Sequence, residues 1–462
     1  MAERLKIAFY GDDFTGSTDA LEFLNRAGIK TVLFIDVPTP EQVAAYGDLQ
    51  AIGVAGISRA QSPTEMETTL YPAFEALKKL NPLHIHYKVC STFDSSPTVG
   101  SIGKAIDIGF NVVKPSWVPL LVAAPLLGRY CLFGNLFARM GIGSAGAIYR
   151  LDRHPSMSKH PVTPADESDL TVHLAKQTNK KISLFSILDL KHYQDSPTPL
   201  PFVDEEIVLF DALEQADLKT IGDIINQPSH QHTIAFSAGS SGIEMALGAS
   251  WKGDSVVEWP AIEIKSPLLV LSGSCSGVTS KQIHHALANG FSEIAIDTIT
   301  LANDIETSDL DVHIDSINSY VAKGLALLNE GKSVIIHTSL GSDDSRVLTS
   351  DRIFKEKGIV KGNTAKLYGT VLGQIAKEIA AKTTLERIII AGGDTSSYAA
   401  RAMEIESVEM IAPLTPGAPI CKAYAPRSSI HNLQVVFKGG QVGKEDFFIS
   451  SSSCSIRSSD DR

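Results

Sequence analysis

Apolar and polar positions alternate along the first ninety residues in blocks that read as strand, loop, helix and strand again. Leu5–Tyr10 is an apolar run of strand length, and the GDDFTGS that follows it reads as a loop. From Ser17 to Ala27 the apolar residues Ala20, Leu21, Leu24 and Ala27 recur at helical spacing, with Gly28 as the stop. Lys30–Asp36 and Ala51–Ile57 give two more strands. Ser62-Pro63-Thr64-Glu65 is a capping box with proline at the first helical position, opening a helix to about Leu80. His84–Cys90 and Val118–Ala124 complete five strands, and a last strand at Thr233–Phe236 leads into a helix over SGIEMALGA. Strands alternating with helices predict a parallel sheet joined by right-handed crossovers.

The pattern repeats in the second half. Strands are expected at Pro267–Leu271, Ser333–His337 and Arg387–Ile390, and helices at about 278–289, 363–381 and 396–405. The predicted fold class is α/β with two domains, each a mainly parallel sheet flanked by helices, and an active site in the interdomain cleft. The boundaries fall at 1–262, 263–448 and a Ser-rich, disordered tail at 449–462. A length of 462 residues suits two or three domains.

Composition narrows the function classes. With 44% hydrophobic and 20% charged residues the chain is an ordinary globular one, and its formal charge of −11 without a Lys/Arg cluster argues against a nucleic-acid partner. The longest apolar stretch, Trp117–Gly128, is too short and too proline-broken to span a bilayer. The N-terminus lacks a signal-peptide core, so a cytoplasmic location is expected. Five scattered cysteines without C-x-x-C indicate neither a disulfide framework nor a thiolate metal site.

In open parallel sheets ligands bind beyond the carboxyl ends of the strands. Asp12 and Asp13 follow the first strand, Ser58 and Arg59 the third, and Lys88, Ser91 and Thr92 the fourth. Gly128 and Arg129 follow the fifth. Together they would line a polar cleft for a small, anionic, hydroxylated molecule. The second half offers glycine turns instead: SGSCSG at 272–277, AGGDTS at 391–396 and KGGQVG at 438–443. Such turns bring backbone N–H groups to phosphate oxygens, and a helix N-terminus adds positive potential. Two motifs fail on context. The G-x-G-x-x-G at 141–146 follows FARM, which does not read as a strand, and Gly331-Lys332-Ser333 precedes a strand where a P-loop needs a helix. His84 and His86 read as structural strand residues, and His154 and His160 as loop-packing groups or substrate contacts.

The run Gly11–Asp19 (GDDFTGSTD) resembles the N-terminal motif of the four-carbon acid sugar kinase family. The resemblance continues through Ser58-Arg59, KVCST at 88–92, AAP…GR at 123–129 and SGSCSGVTSKQI at 272–283. It ends with GGDTSSYAARAM at 392–403, PGAP at 416–419 and FKGGQVGKEDFF at 437–448. It implies an ATP-dependent kinase of threonate, erythronate or 3-oxo-tetronates, with the sugar acid bound by the N-terminal domain and the nucleotide by the C-terminal one. Carried over, the substrate residues are Asp12, Arg59, Lys88, Val89, Cys90 and Ser91. The ATP residues are Ser274, Gly392, Gly393, Asp394, Thr395, Gly439 and Gly440. One departure stands out: many members read S-T-L-R-G where this chain has Ser91-Thr92-Phe93-Asp94-Ser95. Losing that Arg and gaining Asp94 leaves the acid open, with a branched acid such as 3-oxo-isoapionate as the alternative. The loop RHPSMSKHPVTPADESDL, from Arg153, reads as a subgroup feature.

In the expected mechanism Asp12 or Asp13 orients or deprotonates the acceptor hydroxyl, and Arg59 and Lys88 hold the substrate carboxylate. The glycine turns bind ATP with Mg²⁺, whose protein ligands are unassigned; Asp394 is either one of them or a helix cap. Homodimerisation is left open. The rival from another class is a catalytically silent sugar-acid or nucleotide sensor, which gains nothing from two acidic residues after the first strand.

Overall fold

A computed structural model describes residues 4–140, 146–160, 162–197, 205–227, 233–251, 257–304, 314–359 and 361–452. The predicted disordered tail begins too early at 449, because helix Phe447–Ser450 and its closing turn run to residue 452, and from position 453 onward it lies outside the described residues. The chain forms two compact units, Met1–Val257 and Glu258–Arg462.

The strands of the first unit are β1 (Ile7–Gly11), β2 (Thr31–Phe34), β3 (Ala51–Ala55), β4 (His84–Lys88), β5 (Val118–Leu121), β6 (Arg129–Leu132), β7 (Asn135–Arg139), β8 (Ile148–Arg150), β9 (Ile182–Phe185), β10 (Ile207–Phe210) and β11 (Ala235–Gly239). Its main sheet runs β2-β3-β1-β4-β11-β5-β10-β9, and the pairings are parallel. The central strands are buried throughout, as a sheet covered on both faces requires. Helix Phe14–Arg26 packs beside Gly242–Trp251, and Pro63–Lys79 beside Ile102–Val113. The crossovers from β1 to β2 and from β3 to β4 run in opposite directions. Right-handedness therefore puts their helices on opposite faces, and the β1–β3 carboxyl ends become a switch point, where such sheets bind ligands.

Two local expectations need correction. The first helix begins at Phe14, one turn before Ser17, because Asp13 accepts the Gly16 N–H at 2.7 Å and caps it. That capping bond outweighs the helix-weakening Gly16. The segment ending in FARM is a strand after all, β7, in an antiparallel β6-β7-β8 sheet. Its tight turn places Phe133 at φ 51° and Gly134 at φ 76°, a primed geometry that sequence rules expect of Asn-Gly. The distant Asp211 carboxylate accepts both turn N–H groups and holds it. The dinucleotide reading still fails, since β7 is antiparallel and the described chain resumes in strand β8. Residues 141–145 of that motif lie outside the described residues.

The second unit contributes β12 (Leu269–Ser272), β13 (Ser292–Ala295), β14 (Val334–His337), β15 (Arg387–Ala391), β16 (Ser407–Thr415), β17 (Ala418–Tyr424) and β18 (Gln434–Lys438). Their order is β13-β14-β12-β15-β18-β17-β16. The first five are parallel, whereas β17 runs antiparallel to both neighbours. The hairpin joining β16 to β17 turns at Gly417, φ 84°.

Candidate functional site

In the first unit the strand register brings the predicted residues together. Gly11 lies opposite both Ala55 and Lys88, and Lys88 opposite Gly239. The chain beyond each strand end is stitched to its neighbour: Asp12 N–H donates to Lys88 O (2.8 Å), Arg59 N–H to Asp12 O (3.0 Å) and Val89 N–H to Gly239 O (2.7 Å). Arg59 Nε and Nη2 donate to the two Asp12 carboxylate oxygens at 3.1 and 2.8 Å, and Nη1 to Asp13 Oδ2 at 2.6 Å. Both carboxylates are buried. Asp13 does double duty, because its other oxygen caps the first helix.

Burial pushes the Asp12 carboxyl up to about 6; the Arg59 guanidinium pulls against this, and Asp13 adds to it. For Arg59 burial alone would favour the neutral form, but Asp12 and Asp13 outweigh it and hold the guanidinium charged. Lys88 is buried, and its Nζ donates to Val89 O at 2.9 Å. A Cβ at Gly16 would stand 2.6 Å from the capping Asp13 Oδ1 and 3.2 Å from that Nζ, so a side chain there would disturb the cap. Cys90 is set against Thr92 Oγ1 at 3.0 Å, and burial, with Asp94 close by, raises its thiol to about 12. It is a packing group and no nucleophile. Ser91 is buried just beyond.

Two acids that the motif reading left without a role belong to the same neighbourhood. Burial raises Asp19 to about 7, with Lys88 opposing, and raises the fully buried Glu244 to about 8, again with Lys88 opposing. Glu244 Oε1 lies 3.3 Å from His86 Nε2. The signal for Glu244 was legible in SGIEMALGA, where one charge interrupts an apolar helix. His84 and His86 are structural, sharing the Ser237 hydroxyl at 2.6 and 2.8 Å. His154 and His160 brace their loop, with His154 Nδ1 accepting from Ser156 and Met157 N–H and His160 Nδ1 from Thr163 N–H.

The second unit assembles its site from backbone. Ser272 lies opposite His337 and Ala391, and Ala391 opposite Lys438, so four strand ends abut. A Cβ at Gly273 would come within 2.3 Å of Thr395 Oγ1, one at Gly440 within 2.8 Å of Ser274 Oγ, and one at Gly392 within 3.0 Å of Thr395 Oγ1. The three turns thus converge, bringing Ser274, Gly392, Thr395 and Gly440 together. Gly393 and Asp394 open helix Gly393–Ala402, whose N-cap is Gly392 at φ 130° without a side-chain cap. Asp394 lies in the first turn, so the helix-cap alternative falls. The FKGG turn is pinned by Ser276 and Thr279, whose hydroxyls donate to Gly440 O, the latter at 2.9 Å. Lys438 Nζ reaches Thr279 Oγ1 and Gly439 O at 3.0 Å each, and burial depresses its amine to about 7. Ser339, two residues beyond β14, donates to Ser274 O at 3.2 Å and went unnoticed in the sequence because its turn carries a single glycine, Gly341, and no glycine-rich run.

Anchored carboxylates with a guanidinium in one unit suit a small hydroxylated acid, and glycine turns at a helix N-terminus in the other suit a phosphate group. The sequence matches the model of a sugar-binding N-terminal domain over residues 7–247 and that of a nucleotide-binding C-terminal domain over residues 269–448. It is 39% identical to a 3-oxo-isoapionate kinase of Paraburkholderia graminis, over 96% of this chain and 93% of the relative. It is 26% identical to a 3-oxo-tetronate kinase of Pseudomonas savastanoi pv. phaseolicola, over 95% and 94%. A solved structure from Salmonella typhimurium LT2 shares the fold at a TM-score of 0.73 and 22% identity, covering 96% of this chain and 98% of its own. The chain belongs to the four-carbon acid sugar kinase family and is an ATP-dependent sugar-acid kinase. Among the described residues no helix is long and apolar enough to cross a membrane.

Proposed function

We propose that the enzyme transfers the γ-phosphoryl group of ATP to a hydroxyl of a branched 3-oxo sugar acid of the 3-oxo-isoapionate type. The observation that carries this reading is the 39% identity to a 3-oxo-isoapionate kinase, against 26% to a 3-oxo-tetronate kinase at similar coverage. Asp12 receives the acceptor proton as the hydroxyl oxygen bonds to the γ-phosphorus and the bond to the β,γ-bridging oxygen breaks, releasing ADP. A carboxyl poised at about 6 is ionised at neutral pH yet basic enough for the task. Asp13 and Arg59 orient it, and the N–H groups that Arg59 does not spend on Asp12 and Asp13, together with Lys88 and Ser91, bind the acid's oxygens.

Ser274, Gly392, Gly393, Thr395, Gly439 and Gly440 cradle the phosphates, where no Cβ fits at Gly392 or Gly440. Among the described residues no three His, Cys, Asp or Glu side chains cluster as a metal site. Mg²⁺ takes one or two carboxylates, water and substrate phosphates, and Asp394 would be the carboxylate that holds it here. When bound, it neutralises developing phosphate charge. The ATP donor supports a cytoplasmic location.

ADP release measured with each acid tests the reading. A kcat/KM at least tenfold higher for 3-oxo-isoapionate than for 3-oxo-tetronate is expected, by roughly the discrimination one hydrogen-bonded group provides. Turnover of 3-oxo-tetronate alone would return the chain to the four-carbon substrates.

A further inference from the structure

We propose that Asp94 and Arg129 read the branch of the acceptor acid, Asp94 accepting a hydrogen bond from its extra hydroxyl and Arg129 Nε donating to a neighbouring oxygen of the same molecule. This deepens the substrate reading above and rests on it.

The motive is a matched pair of unspent hydrogen-bonding atoms. Asp94 Oδ1 and Arg129 Nε are both shielded from solvent, and neither has a hydrogen-bond partner among the described residues. Arg129 is 7% exposed, and its Nη1 is tied down by the carbonyls of Leu127, Gly128 and Arg139 at 3.1, 3.3 and 3.2 Å. The guanidinium is therefore fixed while Nε is left for a ligand. Asp94 is held as firmly. Its neighbour Phe93 takes a left-handed backbone, φ 56°, with its ring edge-on to His173 at 5.8 Å. Ser95 Oγ bonds Phe93 O and His173 Nε2, each at 3.0 Å. A strained, doubly braced segment that ends in an unpaired carboxylate oxygen is an arrangement that a ligand completes.

The pair also faces the right chemistry. Asp94 acts electrostatically on Arg59, Cys90 and Arg129, which places it beside the predicted acid-binding residues. A carboxylate there repels the substrate's own carboxylate, so Asp94 can only favour a donor, and a sugar acid's donors are hydroxyls. Beside Asp94 lies a shallow recess lined by Thr92, Phe93, Thr163, Pro164, Glu167 and His173, whose cavity volume is only about 10 Å³. Its far wall comes from the loop that begins at Arg153, so that loop and the Phe93–Ser95 segment together border the Asp94 carboxylate.

Steady-state kinetics of the full-length enzyme at saturating ATP·Mg²⁺, with 3-oxo-isoapionate and 3-oxo-tetronate as probes, test the assignment. Asp94→Ala should raise the KM for the branched acid about tenfold or more while moving that for 3-oxo-tetronate less than about twofold, so that the preference collapses. Asp94→Asn keeps the shape and one acceptor oxygen; it should lose about threefold on the same ratio, and it carries the test if the alanine variant does not fold. Equal losses on both acids, or none, would overturn the proposal by making Asp94 structural. Failure of the wild type to turn over the branched acid would instead overturn the substrate reading, before any variant is compared.

Discussion

The two units line their candidate sites with opposite materials. The first presents charged side chains at adjoining strand ends, Asp12, Asp13 and Lys88 buried and Arg59 half-buried, neutralising one another. The second presents backbone and hydroxyls around three glycine turns, with the buried Lys438 beneath. A small hydroxylated acid offers few atoms, so its site must place charges; a triphosphate offers many equivalent oxygens, so its site must clear room for amides. Burial perturbs both, in opposite senses: it raises Asp12, Asp19 and Glu244 and lowers Lys438.

The contrast breaks most sharply at Asp12. Asp12→Asn should cut kcat by about 10² to 10⁴, the span of general-base catalysis, while the Kd for ATP measured by calorimetry stays within about twofold. A matching loss of ATP affinity would refute the division of labour. Gly440→Val is the counterpart in the other unit. Its side chain must displace Ser274, so ATP affinity should fall about 10²-fold with acid binding unchanged. A loss of both ligands together would mean that the turn is only structural.

Arg59→Ala should raise the acid's KM at least about tenfold, as truncating one partner of a buried charge pair does. It should also shift the acidic limb of the rate profile. Activity falls as Asp12 protonates, and without the guanidinium that carboxyl rises above about 6, so the limb moves to higher pH. An unmoved limb would detach Asp12 from the base role.

The smallest effect is on stability. Folded Glu244 and Asp19 retain protons that the unfolded chain has released, so between their ordinary values of 4.5 and 3.8 and folded values of about 8 and 7, stability falls as pH rises. Folded Lys438 is deprotonated from about 7, where the unfolded amine keeps its proton to 10.5, so its contribution recovers as pH rises through that window. Glu244→Gln should flatten the first slope and Lys438→Met the second, by roughly a few degrees of melting temperature. Unchanged slopes would show that these groups are not buried in solution.

The parallel cores were legible because buried strands such as LKIAFY and PLLVL are unbroken apolar runs bounded by glycine and acid. The positions of Asp12, Arg59 and the glycine turns followed from the strand-end rule. What sequence could not reveal depended on distant partners. The β6–β7 turn puts phenylalanine where asparagine belongs, and Asp211, some eighty residues on, makes that tolerable. The Arg59 pairing was missed similarly: the residue read as a free anion clamp is engaged by Asp12 and Asp13, which are 47 and 46 residues upstream.

Asp13 links the acid site to the backbone of the first helix. One oxygen holds the Gly16 amide at 2.7 Å, while the other takes the Thr15 hydroxyl and Arg59. Any ligand that draws the guanidinium toward itself leaves this carboxylate with more charge to spend on the amide. Occupancy of the acid site should therefore be written into amide exchange, with the Gly16 proton more protected when the acid is present. A single backbone position would then report binding without any assay of turnover.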